Sequence, residues 1–243
     1  MKCPNCSQIN PGGVVQCRAC GKPLLIAPDN PAGIEWVKIE AGEFLCSDDI
    51  YAGDLLVTER RFSIGKYPVT NAQYALFLNA KPDQAVPRNW DPGSRSYPPG
   101  KENHPVAYVS FNEASVFCKW GGYRLPTQNE WEKAARGTAG RTYPWGEDWQ
   151  DGKYCNSQEA AIGDTTPVDH YPESASPYGV LDLSGNVSEW CDTRGLNNRT
   201  GKILRGGSFE TSQYGVTAVY KDENDPNWKL SPYGFRCVDF LHL

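Results

Sequence analysis

The chain has 243 residues, 39% hydrophobic and 22% charged, with a formal net charge of −5 at pH 7. That length holds one sizeable domain plus a small appendage, and the acidic balance without a visible basic face argues against a nucleic-acid partner. No apolar run approaches the roughly 18 residues of a membrane span, and the opening MKCPNC is neither a secretion signal nor a lipidation motif.

The first predicted unit is small. Cys3-Pro-Asn-Cys6 and Cys17-Arg-Ala-Cys20 form two CxxC hooks separated by ten residues. Two such hooks bring four thiolates to tetrahedral positions, which suits structural Zn²⁺ at about 2.3 Å per Zn–S bond. A piece this short has no core, so the metal supplies its folding energy. Residues 1–24 resemble a zinc ribbon; its task is not readable from the residues, and docking to a protein partner is one use open to it. Nine cysteines in all, five of them scattered, read as thiols of a reducing cytoplasm rather than a disulfide framework. Residues 25–33, with Pro28 and Pro31, read as a linker.

From residue 34 onward the pattern predicts an α+β domain reaching residue 243. Capping boxes start three helices at Thr70/Gln73, Ser110/Glu113 and Thr127/Glu130, with apolar residues at helical spacing behind each. Gly121-Gly122 and Gly137 are the stops of the second and third. Short β-prone runs lie at 34–39, 62–67, 202–205 and 235–240. Gly- and Pro-rich connections fill 83–105 and 143–177, and there is no internal repeat.

Eight segments then carry a resemblance. WVKIEAGEF at 36–44, KYPVTNAQYALFL at 66–78, HPVAYVSFNEASVFCKW at 104–120 and YRLPTQNEWEKAARG at 123–137 follow one another in order. YPWG at 143–146, YGVLDLSGNVSEW at 178–190 and the pair LRGGSF (204–209) and GFRC (234–237) complete them. Together they resemble the formylglycine-generating enzyme, or sulfatase-modifying factor, family. The resemblance implies that family's C-type-lectin-like fold, a twisted antiparallel sheet with flanking helices and extensive loops.

It also implies chemistry that this chain departs from. The family's enzymes hold copper with two cysteines shortly after the GGS turn, because soft thiolates select Cu(I). Those two positions fall near Thr211 and Val216, and neither residue is a thiolate. A related branch uses an iron site of histidines and a carboxylate, whereas here His104, His170 and His242 are dispersed. Cys237 belongs to the GFRC frame, and no GxSxG nucleophile elbow replaces the missing ligands. The expectation is a domain without catalysis. The resemblance further implies Ca²⁺ at Asp182, Gly185, Val187 and Glu189, two carboxylates and two carbonyls for a hard ion. The alternative there is a turn locked by Asn186 and Trp190 against the core.

Between the GGS and GFR frames, residues 208–233 change character and become rich in aromatic and short polar side chains. That is the composition of a recognition surface. The same window resembles the variable stretch of diversity-generating retroelement proteins, in which the fold holds both ends while the side chains between them change. The expected ligand contacts are Glu210, Thr211, Ser212, Gln213, Tyr214, Tyr220, Asp222, Glu223, Asn224, Asn227, Trp228, Lys229, Ser231 and Tyr233. Trp228, Tyr214 and Tyr220 are the expected hot spots, since aromatics concentrate binding energy. The expected partner is a protein or other macromolecular ligand. A formylglycine-generating-type oxidase with a relocated site, or a structural scaffold subunit, are the alternatives.

Overall fold

The computed structural model describes residues 6, 8, 18–21, 30–48, 51–58, 60–195 and 200–239. Cys3 and Cys17 of the expected zinc knot lie outside these residues, while Cys6 and Cys20 are exposed.

The three capping boxes all form. They start α1 (Asn71–Ala80), α2 (Phe111–Gly121) and α3 (Gln128–Arg136), each with the cap hydroxyl accepting from the third backbone N–H and the third side chain accepting from the cap N–H. Each box satisfies two backbone donors that a helix start leaves open. Gly122 closes α2 in the left-handed region at φ 75°, where a side chain would be strained.

Among the described residues the strands divide into three sheets. β1 (Trp36–Ile39), β4 (Phe62–Gly65), β10 (Val238–Asp239) and β5 (Tyr123–Arg124) form one, in that order, so the C-terminal end of the domain sits between two early strands. β2 (Gly42–Asp48) and β3 (Tyr51–Thr58) form a hairpin. Its base is held by Lys133, whose Nζ donates to the carbonyls of Glu40 and Gly42 and to the Thr58 hydroxyl at 2.7, 2.9 and 2.6 Å. The third sheet runs β8 (Lys221–Asn224), β7 (Lys202–Arg205), β6 (Ser188–Arg194), β9 (Tyr233–Gly234), and its β6–β9 pair is parallel.

Two of these elements correct the sequence reading. The segment 221–224, expected within a loop, is strand β8, paired in register from Lys202↔Asn224 to Arg205↔Lys221. Lys-Asp-Glu-Asn has no intrinsic strand preference, so the partner strand imposes the conformation. Residues 30–33, expected as linker, are packed turn: Ala32 is fully buried, and the Asn30 side chain both donates to the Ile34 carbonyl and accepts from the Ile34 N–H.

The core is aromatic. Tyr74 of α1 stacks on Phe117 of α2 at 5.6 Å, and Phe235 and Phe77 meet Phe117 edge-on at 5.2 and 5.5 Å. A second cluster gathers Trp131, Ala134 and Ala135 of α3 with Ile64, Ile203 and Val238. Cys118 and Cys237 lie in the first cluster with their sulfurs 3.6 Å apart, and burial pushes the Cys237 thiol up. Cys237 is therefore frame, as the sequence indicates.

Candidate functional site

Two buried arginines bracket the C-terminal segment. Arg205, the Arg of LRGGSF, is 1% exposed and pairs with Glu132 at 2.7 Å. It also donates to the carbonyls of Ala218 and Val219 at 2.9 and 3.0 Å, gripping the middle of the segment. Arg236, the Arg of GFRC, is fully buried and forms a fork with both oxygens of Glu189 at 2.6 and 2.7 Å. Its remaining donors reach the carbonyls of Gly65, Lys66, Leu181 and Asp182. A forked, charge-assisted pair of this kind is among the strongest polar contacts a protein makes. Between the two arginines, Gly206 and Gly207 turn at φ 85° and 64°, and a Cβ on Gly207 would strike the Gly215 carbonyl.

The scaffold holds residues 208–233 largely by their main chain. Thr211 and Pro226 accept through their carbonyls from the backbone N–H groups of Gln158 and Asn112. Pro232 accepts from Ser188, and Ala218 N–H donates to Thr142 O at 2.8 Å. Gln213 N–H donates to the Glu159 carboxylate at 2.8 Å. Side chains along such a tether can change without loosening it.

The expected contact residues separate accordingly. Glu210, Tyr214, Tyr220, Asp222, Asn227, Trp228 and Lys229 are exposed, with Tyr214 at 76%, Trp228 at 51% and Tyr220 at 40%. Thr211, Ser212, Gln213, Glu223, Asn224 and Ser231 are half-buried. Tyr233 departs from the expectation: it is buried, its ring lies edge-on to Trp190 at 5.2 Å, and its hydroxyl accepts from Asn224 Nδ2 at 2.6 Å. The 2-fold spacing of β9 turns Tyr233 inward, so it anchors the segment from beneath. Asn227 and Lys229 reach back to α2: Asn227 Oδ1 accepts from Asn112 Nδ2 at 2.8 Å, and Lys229 pairs with Glu113 at 2.6 Å.

Beside this surface the structure opens a cleft of about 370 Å³ that the sequence does not reveal. Phe209, Glu210 and Ser231 from the segment face Asn89, Tyr108 and Lys101 from the scaffold across it. Tyr108 sits at φ 59°, a strained backbone position for a bulky residue, of the kind that gathers at functional clefts. Lys101 Nζ is occupied within the protein, by Asp164 at 3.0 Å, the Thr165 carbonyl at 3.3 Å and His104 Nδ1 at 3.3 Å. Burial and the neighbouring Lys101 ammonium hold the His104 ring down at about 4, so it is neutral at ordinary pH. No pattern in the sequence announces this cleft, because its walls come from segments up to 160 residues apart.

The metal chemistry implied by resemblance meets a poor fit. At the first copper-ligand position, the Thr211 hydroxyl is engaged with Ser208 N–H at 3.0 Å. At the second, Val216 is fully buried against Tyr143 and Cys155. Cys155 is a sulfur that the sequence does not single out, 61 positions upstream of Val216. Burial pushes its thiol up to about 12, so one protonated thiol stands where the family pattern has two thiolates. His170 is exposed and packs on Tyr171, and His242 lies outside the described residues.

The residues of the expected calcium set are engaged within the protein. Both oxygens of Glu189 are committed to Arg236, and Oε2 also accepts from Trp131 Nε1 at 2.8 Å. A hard cation at Glu189 would have to displace a buried guanidinium, so the set Asp182, Gly185, Val187 and Glu189 is a poor fit to Ca²⁺ in this arrangement. Asp182 is instead a turn residue at φ 57°, its carboxylate accepting from Asn186 Nδ2 at 2.7 Å. Burial raises its pKa to about 8, against the pull of Asn186 and Arg236. Gly185 belongs to the same turn: its N–H donates to Gly206 O at 2.8 Å, tying the turn to the GGS frame.

The chain is similar to several known proteins. The chain is 35% identical over 185 residues to the formylglycine-generating enzyme of Streptomyces coelicolor, covering 62% of this chain and 57% of that one, so the match spans little more than half of that enzyme. It is 30% identical over 235 residues to the inactive C-alpha-formylglycine-generating enzyme 2 of Mus musculus, covering 75% and 76%. The fold matches PvdO from Pseudomonas aeruginosa with a TM-score of 0.73 at 21% identity, over 88% of this chain and 97% of that one. It also matches Treponema denticola variable protein 1 with a TM-score of 0.69 at 19% identity, over 84% and 94%. The family thus includes an enzyme and an inactive relative, and no described helix here is long and apolar enough to cross a membrane. Residues 25–240 match the sulfatase-modifying factor enzyme 1-like domain, and the chain belongs to that family.

Proposed function

We propose that this chain is a non-catalytic ligand-binding member of its family, displaying a recognition surface between its GGS and GFR frames. The observation that carries the reading is the replacement of the two copper-ligand positions by Thr211 and Val216, the second of them buried in an aromatic pocket. Around them the exposed aromatic area is concentrated in the same segment, at Tyr214, Tyr220 and Trp228. Main-chain tethering of residues 208–233 supports a surface whose side chains are free to diversify, as by a retroelement. The Treponema protein of the same fold is itself called a variable protein.

The test has two arms. Purified protein supplied with copper and a cysteine-containing CxPxR peptide should yield no aldehyde by mass spectrometry; aldehyde would overturn the reading. At the genomic level, a neighbouring reverse-transcriptase gene and a near-repeat of the codons for 208–233, mismatched at adenines, would establish diversification. The second reading, an oxidase with a relocated site, draws on Cys155 beside Val216. It requires aldehyde formation that disappears in Cys155→Ser.

The two CxxC hooks fit a structural zinc that folds an N-terminal docking module in a reducing cytoplasm. One equivalent of zinc in the full chain, lost in Cys6→Ser/Cys20→Ser, is the expected outcome.

A further inference from the structure

The exposed apolar side chains of the recognition segment, Tyr214, Tyr220, Trp228 and Leu230, stand among carboxylates. Residues 208–233 contain Glu210, Asp222, Glu223 and Asp225 against Lys221 and Lys229, four negative charges to two positive. Two cations bordering the surface are spent inside the protein: Lys229 on Glu113 at 2.6 Å, Lys101 on Asp164 at 3.0 Å. Among the described residues, no cation pairs with Glu210, Asp222 or Asp225. Asp222 accepts from Glu223 N–H and Asn224 Nδ2, and Asp225 from Asn227, all neutral donors that leave the charge uncancelled.

These groups share one patch. Asn224 Nδ2 donates to the Tyr233 hydroxyl at 2.6 Å and to Asp222 Oδ2 at 3.2 Å, which sets Asp222, two residues beyond Tyr220, beside Tyr233. Glu210 stands at the cleft, on the same wall as Phe209 and Ser231. Aromatic faces attract cations through the ring quadrupole, and uncancelled carboxylates attract them through charge. A polyanion meets repulsion from the same carboxylates. A neutral sugar would make no use of them.

Resting on the proposed recognition role of this surface, we propose that its partner is a protein with a lysine- and arginine-rich face. That face lays its cationic side chains beside Glu210 and Asp222 and over the rings of Tyr214, Tyr220 and Trp228. The aromatic area supplies affinity and the carboxylates supply selection and encounter rate.

The experiment is panning of a random peptide library on phage against the full-length chain, with Tyr220→Ala/Trp228→Ala as counter-screen. Recovered peptides are then synthesised and titrated by fluorescence anisotropy. The expected result is enrichment of peptides rich in Lys and Arg that the counter-screen protein does not retain. Their affinity should fall roughly tenfold between about 0.05 and 0.5 M salt, and by a similar factor in Glu210→Gln/Asp222→Asn. Glu40→Gln/Glu43→Gln, which removes the same charge from exposed positions in the β1–β2 turn and at the start of β2, should leave it within about twofold. Peptides lost in the counter-screen but without basic enrichment, or indifferent to Glu210→Gln/Asp222→Asn, overturn the partner class while leaving the surface in place. Peptides retained equally by Tyr220→Ala/Trp228→Ala overturn the surface itself.

Discussion

The two arginine frames and the segment between them answer to different physics. At Arg236 every donor is used and the partner carboxylate is 1% exposed. At Trp228, by contrast, the side chain stands half in solvent and its N–H bond to Asp225 O is main chain only. The frame converts side-chain identity into stability, because removing one partner of a buried pair strands the other without water. The segment converts backbone hydrogen bonds into stability and leaves its side chains for contact. The protein thereby separates what must stay constant from what can change.

That contrast can be broken at its strong end first. Arg236→Met should strand the Glu189 carboxylate and cost about 3–5 kcal/mol in urea denaturation; a loss as small as that of a surface substitution would remove the frame from the account. Gly207→Ala comes next, since it must adopt φ 64° and collide with the Gly215 carbonyl. About 2–3 kcal/mol should go, read as a lower urea midpoint at unchanged slope.

Asp182 sharpens the frame from the opposite side. Its folded pKa, raised to about 8 from 3.8, means the folded state resists ionisation there. Stability from this group is therefore fully present below about pH 4 and is lost as pH rises through 8. Asp182→Asn keeps a residue type that tolerates positive φ and removes the charge. Thermal unfolding should show a gain of about 1 kcal/mol or more at pH 8, a Tm rise of about 2–4 °C. The gain should vanish towards pH 4, and a pH-independent difference would speak for packing instead of charge. The smallest effect is expected in the segment. Tyr214→Ala and Trp228→Ala should each shift stability by no more than about 0.5 kcal/mol, because neither side chain fills the core. A loss above 2 kcal/mol would show that the segment is structural.

Several features are legible in the residues alone. The capping boxes at Thr70, Ser110 and Thr127 are local, so residue type at a fixed offset settles where each helix starts. The motif order from residue 36 to 237 carries the family, and Gly207 and Gly234 mark the ends of the recognition segment. Where sequence reasoning fails, the cause is a distant partner. Strand β8 exists because β7 offers it hydrogen bonds, and residues 30–33 are held by Tyr123, whose hydroxyl accepts from Ala32 N–H and donates to Asn30 Oδ1. The pairing of Glu189 with Arg236, 47 residues away, is equally invisible in the sequence, although the guanidinium engages both of its oxygens.

The sequence by itself determined the helix starts, the frame motifs and the absence of thiolates at residues 211 and 216, since these depend on residue identity and near neighbours. The tertiary structure alone decided that Tyr233 faces inward, that Cys155 lies against Val216, and that Glu210 opens onto a cleft with Tyr108. Each of these requires segments remote along the chain to meet, and no periodicity or spacing encodes where a chain crosses itself.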